Sequence, residues 1–200
     1  MVVPDAAPYN APMHETSGLA NQLLIAMPAL RDSNFARSVT FVCQHGEDGA
    51  MGLQINRLSE YRLGDLLDQM SMRSDLTDVN DAPVLIGGPV QPERGFVLHS
   101  PHGEWESSFR ISERISVTTS RDILAAIAEG NGPRQSLVTL GYSGWSAGQI
   151  EQELRENAWL TAPASEQILF ETPLDRRWQA AAAILGVSDL VQLAGYVGNA

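Results

Sequence analysis

Ser143 stands between two glycines in LGYSGWSAGQIEQEL, residues 140 to 154, where an apolar run that reads as a strand meets a pattern that reads as a helix. A strand, a sharp turn and a helix are also how hydrolases expose a nucleophilic serine. Such a serine needs a histidine base and a carboxylate that orients it, in the chain order Ser, Asp or Glu, His. The four histidines, His14, His45, His99 and His102, all precede Ser143, and Trp145 stands where the hydrolase elbow has its second glycine. Ser143 is therefore expected to belong to a structural turn. Ser146 and Gln149 form an S-x-x-Q capping box at the start of the helix, and Ile150 and Leu154 mark its inner face.

Three further groups have residue types that do chemistry. GGPV, residues 87 to 90, is a glycine loop after a strand, which cradles phosphate only when a helix follows directly; here another strand is expected, so a tight turn is the simpler reading. His99, His102 and Glu104, with His45, have metal-ligand types, but a proline inside H-S-P-H argues against convergence, and no metal is expected. Cys43 reads as a small core residue. In the C-terminal RRWQAAAAILGVSDLVQLAGY, a helix-turn-helix look-alike has a second helix, from Ser188 and Asp189, without arginine, whereas groove reading needs donors there.

Composition narrows the function classes. All thirteen basic residues are arginine and the formal net charge is -11. Without lysine, neither a Schiff base nor a Walker A loop can be built. An acidic surface also lacks the general attraction to nucleic acid, unless Arg110, Arg114 and Arg121 gather on one face. One cysteine excludes an internal disulfide, and no signal or membrane segment is legible, so a cytoplasmic protein is expected.

The elements that must position these residues follow from periodicity. Residues 1 to 17 read as a disordered tail, and 18 to 200 as one domain. QLLIAMP reads as a buried strand; SVTFVCQ and AMGLQIN alternate around HGED as a hairpin, with Met51, Leu53 and Ile55 on one face. Leu63, Leu66, Leu67 and Met70 predict a helix after Ser59. VLIGG and RGFVLHS predict strands flanking a turn with Pro92, and WESSFRI and RISVTTS two more. Ser120 predicts a helix ended by GNGP; SLVTLG and EQILFE read as strands; and Thr172, Pro173 and Asp175 start a helix that Gly186 stops. This irregular mixture predicts an α+β domain.

Taken in order, LLIAMPAL, FARSVTFVCQH, GAMGLQIN, GGPV with RGFVLHS, GYSGWSAGQIEQEL, NAWL and ILFETP resemble the YqgE/AlgH family from about Leu19 to the last helix. The resemblance implies a mixed sheet curled toward a partial barrel with helices packed outside. It also implies a genetic label, regulator of transcription linked to exopolysaccharide (alginate) production, with no assigned biochemical activity and no cofactor. Members commonly carry alanine where this chain has Ser143. Leu58, the ending GYVGNA and the long N-terminal tail depart from the family pattern. Residues that match its motifs, and so are candidates for a ligand or partner surface, are Asn56, Gly87, Gly88, Arg94, His99, Gly141, Tyr142, Gly144, Trp145 and Gln149. The expectation is a non-enzymatic protein acting through a protein partner or a small anionic ligand. Such a ligand is expected where the GGPV loop approaches GYSGW, because glycine exposes backbone amides. The competing expectation is an enzyme or metabolite-binding protein that uses Arg94 and His99.

Overall fold

The structure, a computed structural model, describes residues 18–187 and Leu190. The expected tail, the stretch from Ser188 and Asp189, and the ending GYVGNA lie outside or at the edge of the described residues. The strands are β1 (Gln22–Ala26), β2 (Val39–Gly46), β3 (Gly49–Gln54), β4 (Leu58–Arg62), β5 (Pro83–Ile86), β6 (Val90–Ser100), β7 (Ser108–Arg110), β8 (Ser116–Thr118), β9 (Gln135–Ser146) and β10 (Trp159–Pro163). The helices are α1 (Leu63–Gln69), α2 (Thr77–Asn80), α3 (Arg121–Ala128), α4 (Gln149–Arg155) and α5 (Arg177–Ala183). The strands form one curled, largely antiparallel half-barrel in the order β10-β1-β2-β3-β9-β6-β8-β7, so the fold is α+β. β5 lies off this path, antiparallel to β4 and parallel to β9.

Strand β1 is continuously apolar because both of its faces are covered. Leu23 and Ile25 enter a core with Phe41, Leu53, Ile55, Leu169 and Trp178, while Leu24 and Ala26 face Trp145, Ile150 and Trp159 on the other side. A third cluster joins Leu63 and Leu67 of α1 and Ile123 and Ile127 of α3 to Val84, Val97 and Val138 of the sheet. Met51, Leu53 and Ile55 share one core, as their alternation predicts.

The helix expected after Ser59 is present as α1, which begins at Leu63, where Asp65 Oδ2 accepts the Arg62 N–H at 2.7 Å; Ser59 itself lies in β4. Three local expectations are corrected. Pro92 lies inside β6, where a register shift between Val90 and Gly95 lets a residue without an N–H stay in the strand. EQILFE is a π-helical turn, Gln167–Glu171, closed by Thr172 N–H to Gln167 O at 2.8 Å; the strand that joins β1 is instead β10, just before it. Last, GYSGW is no turn: β9 runs through it to Ser146, and α4 starts at Gln149 behind Gly148.

Strand β9 runs through its glycines because it changes partner there. One of its edges pairs with β5 at Val138–Leu140 and then with β3 at Ser143–Ser146, while β6 holds the opposite edge. Gly87 fills the changeover: its N–H donates to Leu140 O at 2.7 Å and its carbonyl accepts the Gln54 N–H at 2.8 Å. A Cβ on Gly87 would stand 2.2 Å from Gly141 O, and one on Gly88 2.2 Å from the Tyr142 carbonyl carbon. Gly87→Ala is therefore expected to lower stability by about 3 kcal/mol, the cost of forcing atoms into a packed interior. Gly95→Ala, with nothing within 4 Å of its new methyl, should change it little. Urea midpoints of the two variants check this.

Candidate functional site

The GGPV loop and GYSGW do meet, and the space their glycines leave is taken by backbone. Besides the contacts of Gly87 and Gly88, a Cβ on Gly141, at φ +70, would stand 2.4 Å from Gly88 O. Ser143 is fully buried and its hydroxyl donates to Gly87 O at 3.2 Å, so it tightens the junction. Tyr142 stacks edge-on against Phe96 at 5.8 Å, and Gly144 lies exposed beside the Tyr142 ring.

Trp145 and Gln149 meet at one carboxylate. Glu153 Oε2 accepts the indole N–H of Trp145 at 3.0 Å and of Trp159 at 2.7 Å, while Oε1 accepts the Gln149 side-chain amide at 2.9 Å. Phe35 closes the cluster, 5.6 Å from the Trp159 ring. Gln149 Oε1 also accepts the Ser146 N–H at 2.9 Å, which is half of the expected capping box; Gly148, with φ +73, is the N-cap in place of Ser146.

The histidines are separated. His99 is fully buried: Nδ1–H donates to Pro101 O at 3.1 Å, which leaves Nε2 to accept from Thr118 Oγ1 at 2.8 Å, with Trp105 edge-on at 4.9 Å. Burial, with a smaller contribution from His102, pushes the His99 pKa below the usual histidine value. His102 bonds Ser116, and His45 bonds Glu151 at 2.8 Å and receives the Leu19 N–H. Among the described residues, no three His, Cys, Asp or Glu side chains are grouped to hold a metal ion. The Cys43 thiol is buried, which pushes its pKa up. Arg94 is exposed, 5.3 Å over the Phe96 ring, and is not brought to His99 by any bond among those of either side chain.

Asn56 marks a different place. Its side chain accepts the Val39 N–H at 2.8 Å and donates to Arg37 O at 2.9 Å, so it ties the end of β3 to the loop before β2. There a cleft of about 460 Å³ opens between the strands and the segment leading into α5, lined among others by Arg37, Ser38, Gln54, Arg57, Asp175 and Trp178. Arg37 holds a left-handed backbone, φ +57, with its guanidinium 5.7 Å over the Trp178 ring. Arg57 donates to Asn34 O at 2.6 Å and Ser33 O at 2.8 Å.

Two lining side chains are buried without satisfaction. Ser38 is 3% exposed and Gln54 1% exposed, yet Ser38 Oγ and Gln54 Oε1 have no hydrogen-bond partner among the described residues. Unsatisfied buried polar atoms are costly, and four others among the described residues lie outside the lining: Asn21 Oδ1, Thr40 Oγ1, His102 Nε2 and Thr139 Oγ1. Just behind the cleft, Arg177 is 3% exposed and donates to Thr172 O at 2.9 Å and to Ile55 O. Sequence reasoning found only Asn56 here. The legible signal was polar Ser38 just before β2, and Thr40 and Gln54 inside strands otherwise largely apolar; Thr40 and Gln54 are directly paired across β2 and β3.

The model of a family described as AlgH-like matches residues 23–189. A UPF0301 protein of Nitrosococcus oceani is 53% identical over 180 residues, 90% of this chain and 96% of that protein. A UPF0301 protein of Xanthomonas euvesicatoria is 56% identical over 182 residues, 91% of this chain and 96% of its own. The solution structure of the AlgH protein from Pseudomonas aeruginosa matches with TM-score 0.76 and 44% identity, covering 95% of this chain and all, 100%, of that one. A crystal structure from Corynebacterium diphtheriae, 18% identical with TM-score 0.65 over 84% of this chain and 87% of that one, shares the fold.

The buried neutral His99 predicts a pH dependence. Its folded pKa is depressed, so below the unfolded value of about 6.5 the unfolded chain binds a proton that the folded one does not. Its contribution to stability is complete above that value and is lost as pH falls toward the folded pKa. Denaturation midpoints between neutral and mildly acidic pH should fall for the wild type and fall less for His99→Gln.

Proposed function

The chain belongs to the AlgH-like family, and from that membership we propose that it is a non-enzymatic cytoplasmic protein that influences gene expression indirectly, by binding at the Asn56 cleft. The cleft carries this reading: Ser38 Oγ and Gln54 Oε1, unpaired among the described residues, belong to two of its lining residues, and a ligand or partner that draws either side chain toward the opening gives it a bond. The chemistry-bearing groups elsewhere have structural work: Ser143 is committed to Gly87 O, and His99 to Pro101 and Thr118. Direct reading of DNA fits poorly with a net charge of -11. Two of the three arginines that a phosphate face would need are engaged: Arg114 pairs with Glu166, and Arg121 donates to Met70 O at 2.6 Å. Among the described residues, no helix is long and apolar enough to cross a membrane.

Transcript profiles of a strain lacking the gene, complemented with variants, test this proposal. Wild type and Ser143→Ala are expected to restore the profile; Gln54→Leu, of similar volume but without the amide, is not, provided its circular dichroism stays native. Restoration by Gln54→Leu, or a promoter-selective gel shift by the wild type at physiological salt, contradicts the proposal.

A further inference from the structure

We infer that the ligand of the Asn56 cleft is a small hydroxylated anion, a polyol carrying a phosphoryl or carboxylate group. This rests on the binding reading above and adds to it the chemistry of the guest.

The charge comes first. Arg177 is a buried cation whose N–H groups meet only backbone carbonyls, those of Thr172 and Ile55, and it takes part in no ion pair among the described residues. Burial lowers its pKa to about 10, which leaves it charged at neutral pH. A buried charge without a counter-ion is unfavourable, and an anion close by offsets that. The cleft is adjacent: Ile55 lies between the lining residues Gln54 and Asn56, and Arg177 precedes the lining Trp178. Arg37 and Arg57 add two cations to the lining against one acid, Asp175. Guanidinium groups are the preferred partners of carboxylate and phosphoryl oxygens.

The hydroxyls follow from the orphaned atoms. Gln54 Oε1 only accepts, so an oxyanion cannot satisfy it; a guest that meets this group as the side chain turns toward the cleft brings an O–H or N–H. Ser38 Oγ serves either role, donating to an oxyanion or accepting from a hydroxyl. Asp175, also in the lining, accepts a further hydroxyl but repels an anion, so the charged end of the guest pairs with the arginines. The volume of about 460 Å³ suits a metabolite better than a bare ion, and the Trp178 ring gives its carbon skeleton an apolar contact.

Amide chemical shifts of the full-length chain, recorded during titration with glycerol 3-phosphate, glycerate and glycerol, test the inference. At least one charged probe is expected to give saturable shifts at residues 36–38, 54–57 and 174–179, with glycerol about tenfold weaker or worse. Whether glycerol 3-phosphate or glycerate binds more tightly distinguishes a phosphoryl from a carboxylate guest. Arg37→Gln and Ser38→Ala, both at the cleft wall, should each weaken the charged probe by about tenfold. Glycerol binding as tightly as the charged probes would overturn the anionic class and leave the binding reading standing. Unchanged affinity in both variants would overturn the class as well. Titrations in which no probe gives saturable shifts at the cleft would overturn both.

Discussion

The fold depends on one close contact between backbones, where Gly87 and Gly88 lie against Gly141, Tyr142 and Ser143. Strand β9 serves two partners along one edge, and such a change leaves backbone groups unpaired unless something fills the step. Gly87 fills it by giving its N–H to β9 and its carbonyl to β3. Only a residue without Cβ fits, because carbonyl atoms stand 2.2 Å from where a side chain would begin. Ser143 adds a second donor to the same carbonyl. The half-barrel is continuous because this step is closed.

The same junction positions the cleft. Gln54 is held by its backbone to Gly87, which fixes the end of β3, and Gln54 and Ser38 both line the cleft. Asn56 then ties that strand end to Arg37, and Arg177 bonds Ile55 O from 122 residues away. At the other end of β9, Glu153 gathers the N–H groups of Trp145, Trp159 and Gln149 and anchors α4. Among the motif residues that look like a site, Gly87, Gly88 and Gly141 hold the sheet junction, Trp145 and Gln149 meet at Glu153, and Asn56 stands at an opening.

What the sequence made legible follows its local physics. The apolar runs of β1 and the alternation of β2 and β3 identify buried strands, since both signals arise within a few residues. The approach of GGPV to GYSGW was also legible, because both follow core strands. The purpose of its glycines was not: glycine marks a turn and a close backbone approach with the same letter. EQILFE misleads because a short apolar run does not separate a strand from a helical turn, and here the edge of β1 is already taken by β10. The cleft was nearly invisible, since Ser38, Gln54 and Asp175 are joined only by sheet pairing and by a segment far along the chain.

Native-state hydrogen exchange at the Gln54 and Gly87 amides measures the central contact most directly. If the junction holds the half-barrel together, both amides exchange only through global unfolding, with the full free energy of the fold and its full denaturant dependence. If instead they open well below global stability, at a level like that of the exposed β4 strand, the junction is a local feature and the dependence of sheet and cleft on it is wrong.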